Sequence, residues 1–305
     1  MRQLLVRGSD GTRLAARVEV PAAVPLDALL VLALRGPGGV RWARPQEALD
    51  ARHDPSGYAR DVDNFRDVAG PDGYEAEGGR MRRGVLFRSN ALDEASVDGA
   101  RLAAVGLTGV FDLRMTVEVT PKPDVVPGGA RYVRFNVIGD DVELGALDPK
   151  SLTDAAGARE LLTDVYRMFV AEDNARAQFA GLLRAIAAAD GPHVFHCSAG
   201  KDRTGWAAAV VQRILGVSPD DVLADYLLTN EYSAATIAKI AAGAAAERGA
   251  AIGEAARVLA GVFPEALQAS FDEVDARYGG FDGYVRAGLG LDDGVIEKLR
   301  AKLIA

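Results

Sequence analysis

At 305 residues, 49% hydrophobic and 26% charged, the chain is long enough to bury one large core or two small ones. A net charge of −8 argues against a general nucleic-acid binder, which needs a basic face to displace counterions; a small phosphorylated ligand in a local basic pocket remains compatible with it. One cysteine, Cys197, allows no intramolecular disulfide, and fits a reducing, cytoplasmic setting with non-classical export still open.

The first residues, MRQLLVRGSDGTRL, lack the long apolar stretch and cleavage site of a signal peptide. The run from Leu26 to Leu34 carries Asp27 and is too short to cross a bilayer, so no transmembrane segment is expected. Alternating apolar residues on either side of Ser9-Asp10-Gly11 predict a β-hairpin. Leu29 to Leu34 predicts a further strand, broken at Gly36-Pro37-Gly38-Gly39. Residues 1–61 therefore read as a small β-rich extension, ending in a polar, irregular stretch.

Strand and helix signals alternate beyond it. Val85-Leu86-Phe87 and Val110-Phe111-Asp112-Leu113 read as short buried strands, with a helix over 93–105 between them. Tyr132 to Ile138 reads as another strand, followed by an acidic loop over 139–153. Two amphipathic helices follow. One has a stripe of Leu161, Leu162, Val165, Met168 and Phe169; the other has Phe179, Leu182, Leu183 and Ile186. His193 to His196 is a strand, and 204–215 an apolar helix closed by Gly216. Ser218-Pro219-Asp220-Asp221 combines an N-cap serine, a proline at the first helical position and acids in the first turn. The remainder is helical, with an alanine-rich stretch over 233–248. Strands alternating with helices imply an α/β fold with a mainly parallel central sheet flanked by helices.

The segment His196-Cys197-Ser198-Ala199-Gly200-Lys201-Asp202-Arg203-Thr204-Gly205 joins the strand to the apolar helix. There, backbone N–H groups and a helix N-terminus can converge on an anion. Cys-x5-Arg spacing brings a sulfur and a guanidinium to one bowl, where the guanidinium can bind two phosphate oxygens side by side. The loop amides and Arg203 favour the thiolate, the nucleophilic form. Gly200 permits close backbone approach. The Thr204 hydroxyl is placed to hydrogen-bond a departing sulfur. A buried core cysteine would not require this run of glycine, charge and Thr-Gly after it.

HCSAGKDRTG resembles the phosphate-binding loop of protein tyrosine phosphatases, and its GKDRTG portion is similar to a bacterial branch described as atypical lipid phosphatases. Asn64-Phe65-Arg66-Asp67-Val68, Gly79-Arg80, Leu86-Phe87-Arg88-Ser89, Asp112-Leu113-Arg114, Ala224-Asp225-Tyr226-Leu227 and Tyr278-Gly279-Gly280 through Gly283-Tyr284 extend the likeness. It covers residues 62–305, the expected phosphatase domain. It implies a phosphatase fold, no metal and no cofactor, and a cysteinyl-phosphate intermediate on Cys197. It also implies phosphate binding by Ser198, Ala199, Gly200, Lys201, Asp202, Arg203 and Thr204. The implied substrates are phosphotyrosine and, in several members, phosphoserine, phosphothreonine or phosphoinositides.

The proton donor is open among three acids. Asp140 aligns best with the family's acid, Asp141 is next to it, and Asp202 lies inside the loop. The family's prolines near Asp140 are replaced here by Val137 and Gly139. Asp112 and Arg114 read as a structural ion pair, and His196 as a residue tuning the loop. Arg66 and Asp67 are candidates for neighbours of the site. Three scattered histidines and one cysteine give no metal-ligand spacing. Residues 233–262 correspond to a helix pair that can cover the site as a lid, with ordinary helical packing as the alternative. Two other classes compete: a phosphate-binding pseudophosphatase, and another thiolate enzyme such as a sulfurtransferase or arsenate reductase. The first usually lacks the cysteine or the arginine, and arsenate reductases want resolving cysteines.

Overall fold

The computed structural model describes residues 62–93, 99–140 and 153–305, together with four short strands between residues 6 and 42. Asp141, one of the candidate acids, lies outside the described residues. The chain divides into two compact units, Met1–Arg52 and His53–Ala305. In the first, β1 (Val6–Arg7) pairs antiparallel with β2 (Arg13–Leu14), the hairpin expected around Ser9-Asp10-Gly11. There too, β3 (Ala33–Gly36) pairs antiparallel with β4 (Gly39–Trp42). The Gly-Pro-Gly-Gly break thus separates two paired strands, and β4 has no counterpart in the sequence reading.

The second unit is built on a five-stranded sheet. Its strands are β5 (Arg66–Asp67), β8 (Leu86–Ser89), β9 (Gly109–Asp112), β10 (Arg131–Arg134) and β11 (His193–His196), in the order β10-β9-β11-β8-β5. β10, β9, β11 and β8 are mutually parallel, and β5 runs antiparallel at the edge. A small hairpin, β6 (Glu75–Ala76) and β7 (Gly79–Arg80), lies between β5 and β8 in sequence. The two central strands β9 and β11 are buried at every position, as expected of strands covered on both faces. β10 ends at Arg134 rather than near Ile138. Its ladder partner β9 ends at Asp112, whose carbonyl takes the Phe135 N–H at 2.7 Å, and nothing extends the pairing further.

Helices cover the sheet. They are α1 (Gly99–Ala104), α2 (Thr116–Val119), α3 (Ala155–Ala171), α4 (Asp173–Ala188), α5 (Asp202–Ile214) and α6 (Pro219–Leu227). α7 (Thr229–Tyr232), α8 (Ala234–Arg248), α9 (Ala250–Ala260), α10 (Pro264–Tyr278), α11 (Phe281–Gly283) and α12 (Asp293–Leu303) follow among the described residues, with a π-turn at Tyr284–Gly288. Ser218 caps α6 as its sequence predicts, accepting the Asp221 N–H at 3.1 Å. On α3 the buried stripe is Ala158, Leu162, Tyr166, Phe169 and Val170. It is rotated from the expected one so that Tyr166 faces inward.

Parallel strands place a site at their C-terminal ends. Ser89, His196 and Asp112 stand level across β8, β11 and β9. Cys197 follows directly, beneath the loop that runs into α5.

Candidate active site

Cys197 is buried, 2% exposed. The loop above it is braced from both sides. The Ser198 carbonyl accepts the Ala91 N–H at 3.1 Å. The Gly200 carbonyl accepts from Asn64 Nδ2 at 2.7 Å and from Arg88 Nη2 at 2.9 Å. Gly200 itself has φ +67°, and a Cβ there would stand 2.3 Å from the Ser89 carbonyl oxygen, so only glycine fits.

Those braces are themselves anchored. Asp225 receives Arg66 Nε on one oxygen at 3.3 Å and Arg88 Nη1 on the other at 3.1 Å. All three side chains are at most 1% exposed. Burial pulls the Arg88 guanidinium down to about 10, and Asp225 works against that fall, so Arg88 stays charged near neutral pH. The separate motifs around Asn64, Arg66, Arg88 and Asp225 thus form one polar brace behind the loop. Asp67, by contrast, is a turn residue. Its oxygens accept the Ala69 N–H at 2.9 Å and the Gly84 N–H at 2.6 Å.

Beneath the loop, Arg114 donates to both oxygens of Asp112 through Nε at 3.0 Å and forms an ion pair with Asp124 at 2.8 Å. Tyr132 also donates to Asp112 at 2.7 Å. Burial alone would raise the Asp112 carboxyl; the Arg114 bonds and the neighbouring charges outweigh it and hold it below the usual range. His196 is fully buried, with Nε2 3.1 Å from Asp124 and Nδ1 3.2 Å from the Cys197 carbonyl. Asp112, Asp124 and His196 bring ligand atoms within 4.8 Å of one another. Arg114 stands between the two carboxylates, 2.9 Å from Asp112 and 2.8 Å from Asp124, and supplies their counter-charge.

Arg203 extends from the first turn of α5. Glu118, on α2, meets it end-on: Nη1 donates to Oε2 at 2.6 Å and Nη2 to Oε1 at 2.7 Å. Glu118 also accepts from Ser198 Oγ at 2.5 Å and from the Met115 N–H at 2.9 Å. Burial would raise the Glu118 carboxyl; Arg203, Ser198 and Met115 reverse that and hold it at about 2. Burial would likewise weaken the Arg203 proton, but Glu118 and the nearby Cys197 raise it above its usual value. Glu118 escapes sequence reading because the four-residue helix TVEV carries no motif. Its position three residues after Met115, at the mouth of β9, is the only trace.

The candidate acids fall in different settings. Asp140 lies on the surface and binds the start of α2, taking the Thr116 N–H at 2.9 Å and the Thr116 hydroxyl at 2.6 Å. Those bonds hold its carboxyl below the usual range. Asp202 opens α5, with Oδ2 2.6 Å from Lys201 Nζ and Oδ1 accepting from the Tyr166 hydroxyl at 3.2 Å. Lys201 is 7% exposed. Thr204 is fully buried, and its hydroxyl has no hydrogen-bond partner. The Thr236 hydroxyl of α8 donates to Asp63, next to the brace residue Asn64, and Arg66 stacks 5.3 Å from the Tyr232 ring centre.

A glycine loop between a parallel strand and a helix, with a buried cysteine at its start and an anchored guanidinium at its end, defines an enzyme of the protein-tyrosine-phosphatase type. The chain belongs to the tyrosine phosphatase family, whose model matches residues 59–305. It is 33% identical over 264 residues to a Cupriavidus necator protein provisionally named a tyrosine-protein phosphatase, covering 85% of this chain and 91% of that one. It is 30% identical over 276 residues to the triple specificity protein phosphatase PtpB of Mycobacterium tuberculosis, covering 79% and 96%. A tyrosine-protein phosphatase of Nostoc commune is 27% identical over 219 residues, covering 68% and 69%. Among the described residues, no helix is long and apolar enough to cross a membrane.

Proposed function

We propose that the protein hydrolyses phosphoric monoesters through a cysteinyl-phosphate intermediate on Cys197, without a metal or cofactor. The observation that carries this reading is the anchored guanidinium. Glu118 occupies the Nη1–Nη2 end of Arg203. A planar guanidinium then presents its Nε–Nη2 edge, the geometry that grips two phosphate oxygens. The loop amides from Ser198 to Thr204 complete the cradle, and the α5 N-terminus adds positive potential. Fixed donors of this kind stabilise charge as it spreads over the equatorial oxygens of a transferring phosphoryl group. The sulfur attacks phosphorus, the ester oxygen leaves with a proton, and water then attacks the cysteinyl phosphate. Thr204 stabilises the departing sulfur with its hydroxyl.

Asp202 is the proton donor favoured here, since it lies in the loop itself beside Arg203. Asp140 and Asp141 are the other candidates; the two oxygens of Asp140 already serve the start of α2. A leaving-group comparison decides between them. The true donor, changed to Asn, slows phenyl phosphate far more than p-nitrophenyl phosphate.

Phosphotyrosine is the proposed main substrate class, with phosphoserine, phosphothreonine and phosphoinositides also accepted, in a cytoplasmic setting. Lys201 supports this range, because a second cation at the bowl suits a head group with more than one phosphate. The helix pair α8–α9 acts as a cover, tethered at Thr236 and Asp63. The reading is tested by phosphate release from those substrates in the presence of a chelator, with Cys197→Ser as control. Release from none of them, or a metal requirement, overturns it.

A further inference from the structure

The carboxyl of Asp202 is connected to two buried phenols that the reaction as described does not use. The Tyr226 hydroxyl donates to the Tyr166 hydroxyl at 2.7 Å, and Tyr166 donates to Asp202 Oδ1 at 3.2 Å. Three helices meet here: Tyr166 on α3, Asp202 on α5 and Tyr226 on α6. Tyr166 is fully buried and Tyr226 is 1% exposed. A buried hydroxyl without a partner is costly, so each phenol is committed to its place in the chain.

The direction of the chain is fixed at its Asp202 end. An ionised carboxylate only accepts, so Tyr166 donates its proton to Oδ1. The Tyr166 oxygen then accepts the Tyr226 hydroxyl. Burial raises both phenols above their ordinary range, so neither loses its proton near neutral pH. Oδ1 of Asp202 is therefore a committed acceptor.

Resting on the reading of Asp202 as proton donor, we infer that Tyr166 is a positioning residue, with Tyr226 acting one bond behind it, that confines the transferable proton of Asp202 to Oδ2. In the free protein Lys201 covers Oδ2. A bound phosphate dianion competes for that ammonium and uncovers the oxygen. Oδ2 then carries the proton and delivers it to the ester oxygen as the P–O bond breaks. Asp202 finishes as a carboxylate with Oδ1 still held by Tyr166. Packing supports the same geometry. A Cβ on Gly205, one turn into α5, would stand 3.1 Å from the Tyr226 ring, and the Ser270 hydroxyl pins the Tyr166 carbonyl at 2.7 Å.

Tyr166→Phe keeps the ring and removes the hydroxyl. The expected result is a kcat loss of about tenfold on phenyl phosphate with KM little changed, and a much smaller loss on p-nitrophenyl phosphate. Added to Asp202→Asn, the same change should cost less than about twofold further, because the group it positions is gone. Tyr226→Phe should act in the same direction, more weakly. An equal loss on both substrates, or an undiminished loss in the Asp202→Asn background, overturns the inference. A double-mutant cycle of Tyr166→Phe and Asp202→Asn on urea unfolding needs no turnover. Absence of coupling there overturns the inference; coupling in a wild-type protein that releases no phosphate overturns the phosphatase reading alone.

Discussion

Glu118 and Arg203 face each other end to end, with both carboxylate oxygens on both terminal nitrogens at 2.6 and 2.7 Å. The pair fixes the rotation of the guanidinium before any ligand arrives. Glu118→Gln retains the size of the side chain but replaces one acceptor by a donor facing Arg203. We expect kcat/KM for an aryl phosphate to fall by about tenfold or more, with the fold intact, since charge-assisted bidentate bonds set both strength and geometry. Steady-state kinetics on the folded variant check this; unchanged kcat/KM would remove Glu118 from the site.

The brace behind the loop depends on one buried carboxylate. Asp225→Asn leaves Arg66 and Arg88 with no counter-charge in a dry environment. Breaking a buried ion pair from one side costs about 3–5 kcal/mol. Urea unfolding should show a loss of that order, and activity should fall at temperatures where the variant is still folded, because Arg88 also holds the Gly200 carbonyl. A loss of stability with full activity would separate the brace from the loop.

Two acids should give opposite pH responses. Burial pushes Asp67 up to about 6, despite the Gly84 and Ala69 N–H bonds. A carboxyl raised in the folded state binds more protons there than in the unfolded chain, so stability falls as pH rises from about 4 to 6. The contribution is on the order of 3 kcal/mol, and Asp67→Asn should flatten that part of the profile. Glu118, held down at about 2, contributes stability above its ordinary value that is lost as pH falls from about 4.5 toward 2. Urea midpoints across pH 2–7 for the wild type and both variants check the signs. A wild-type profile rising between pH 4 and 6, unaltered in Asp67→Asn, would refute the assignment.

If α8 and α9 cover the site, loosening them should expose Cys197. Thr236→Ala removes the hydroxyl that meets Asp63. Replacing residues 234–260 by a short linker removes the pair altogether. Alkylation by iodoacetamide and inactivation by peroxide should both speed up, modestly for the point variant and about tenfold or more for the deletion. Unchanged rates in a folded deletion variant would make the helix pair ordinary packing.

The loop is legible in the sequence because its residues are contiguous: Cys197 through Thr204 read as a cradle from their order alone. The alternation of strands and helices likewise gave the parallel sheet. The partners of the loop were visible only as isolated motifs. Asn64 and Gly200 are 136 positions apart, and Arg66 and Asp225 159 apart, so their pairing comes from the topology. Glu118 was missed because a single turn of helix has no periodicity to read. Tyr166 is not legible because the apolar stripe through Leu161, Leu162, Val165, Met168 and Phe169 passes it by, whereas the buried face is Ala158, Leu162, Tyr166, Phe169 and Val170. A tyrosine that is buried for its hydroxyl looks, in sequence, like an interruption of the stripe.

The central claim is that phosphate passes through the sulfur of Cys197. It is tested most directly by mixing the protein with excess p-nitrophenyl phosphate, quenching rapidly in denaturant and mapping the peptides by mass spectrometry. The expected result is a phosphate adduct on the peptide holding Cys197, increased when hydrolysis of the intermediate is slowed, and absent in Cys197→Ser together with all turnover. Turnover retained in Cys197→Ser, or an adduct on another residue, would contradict it.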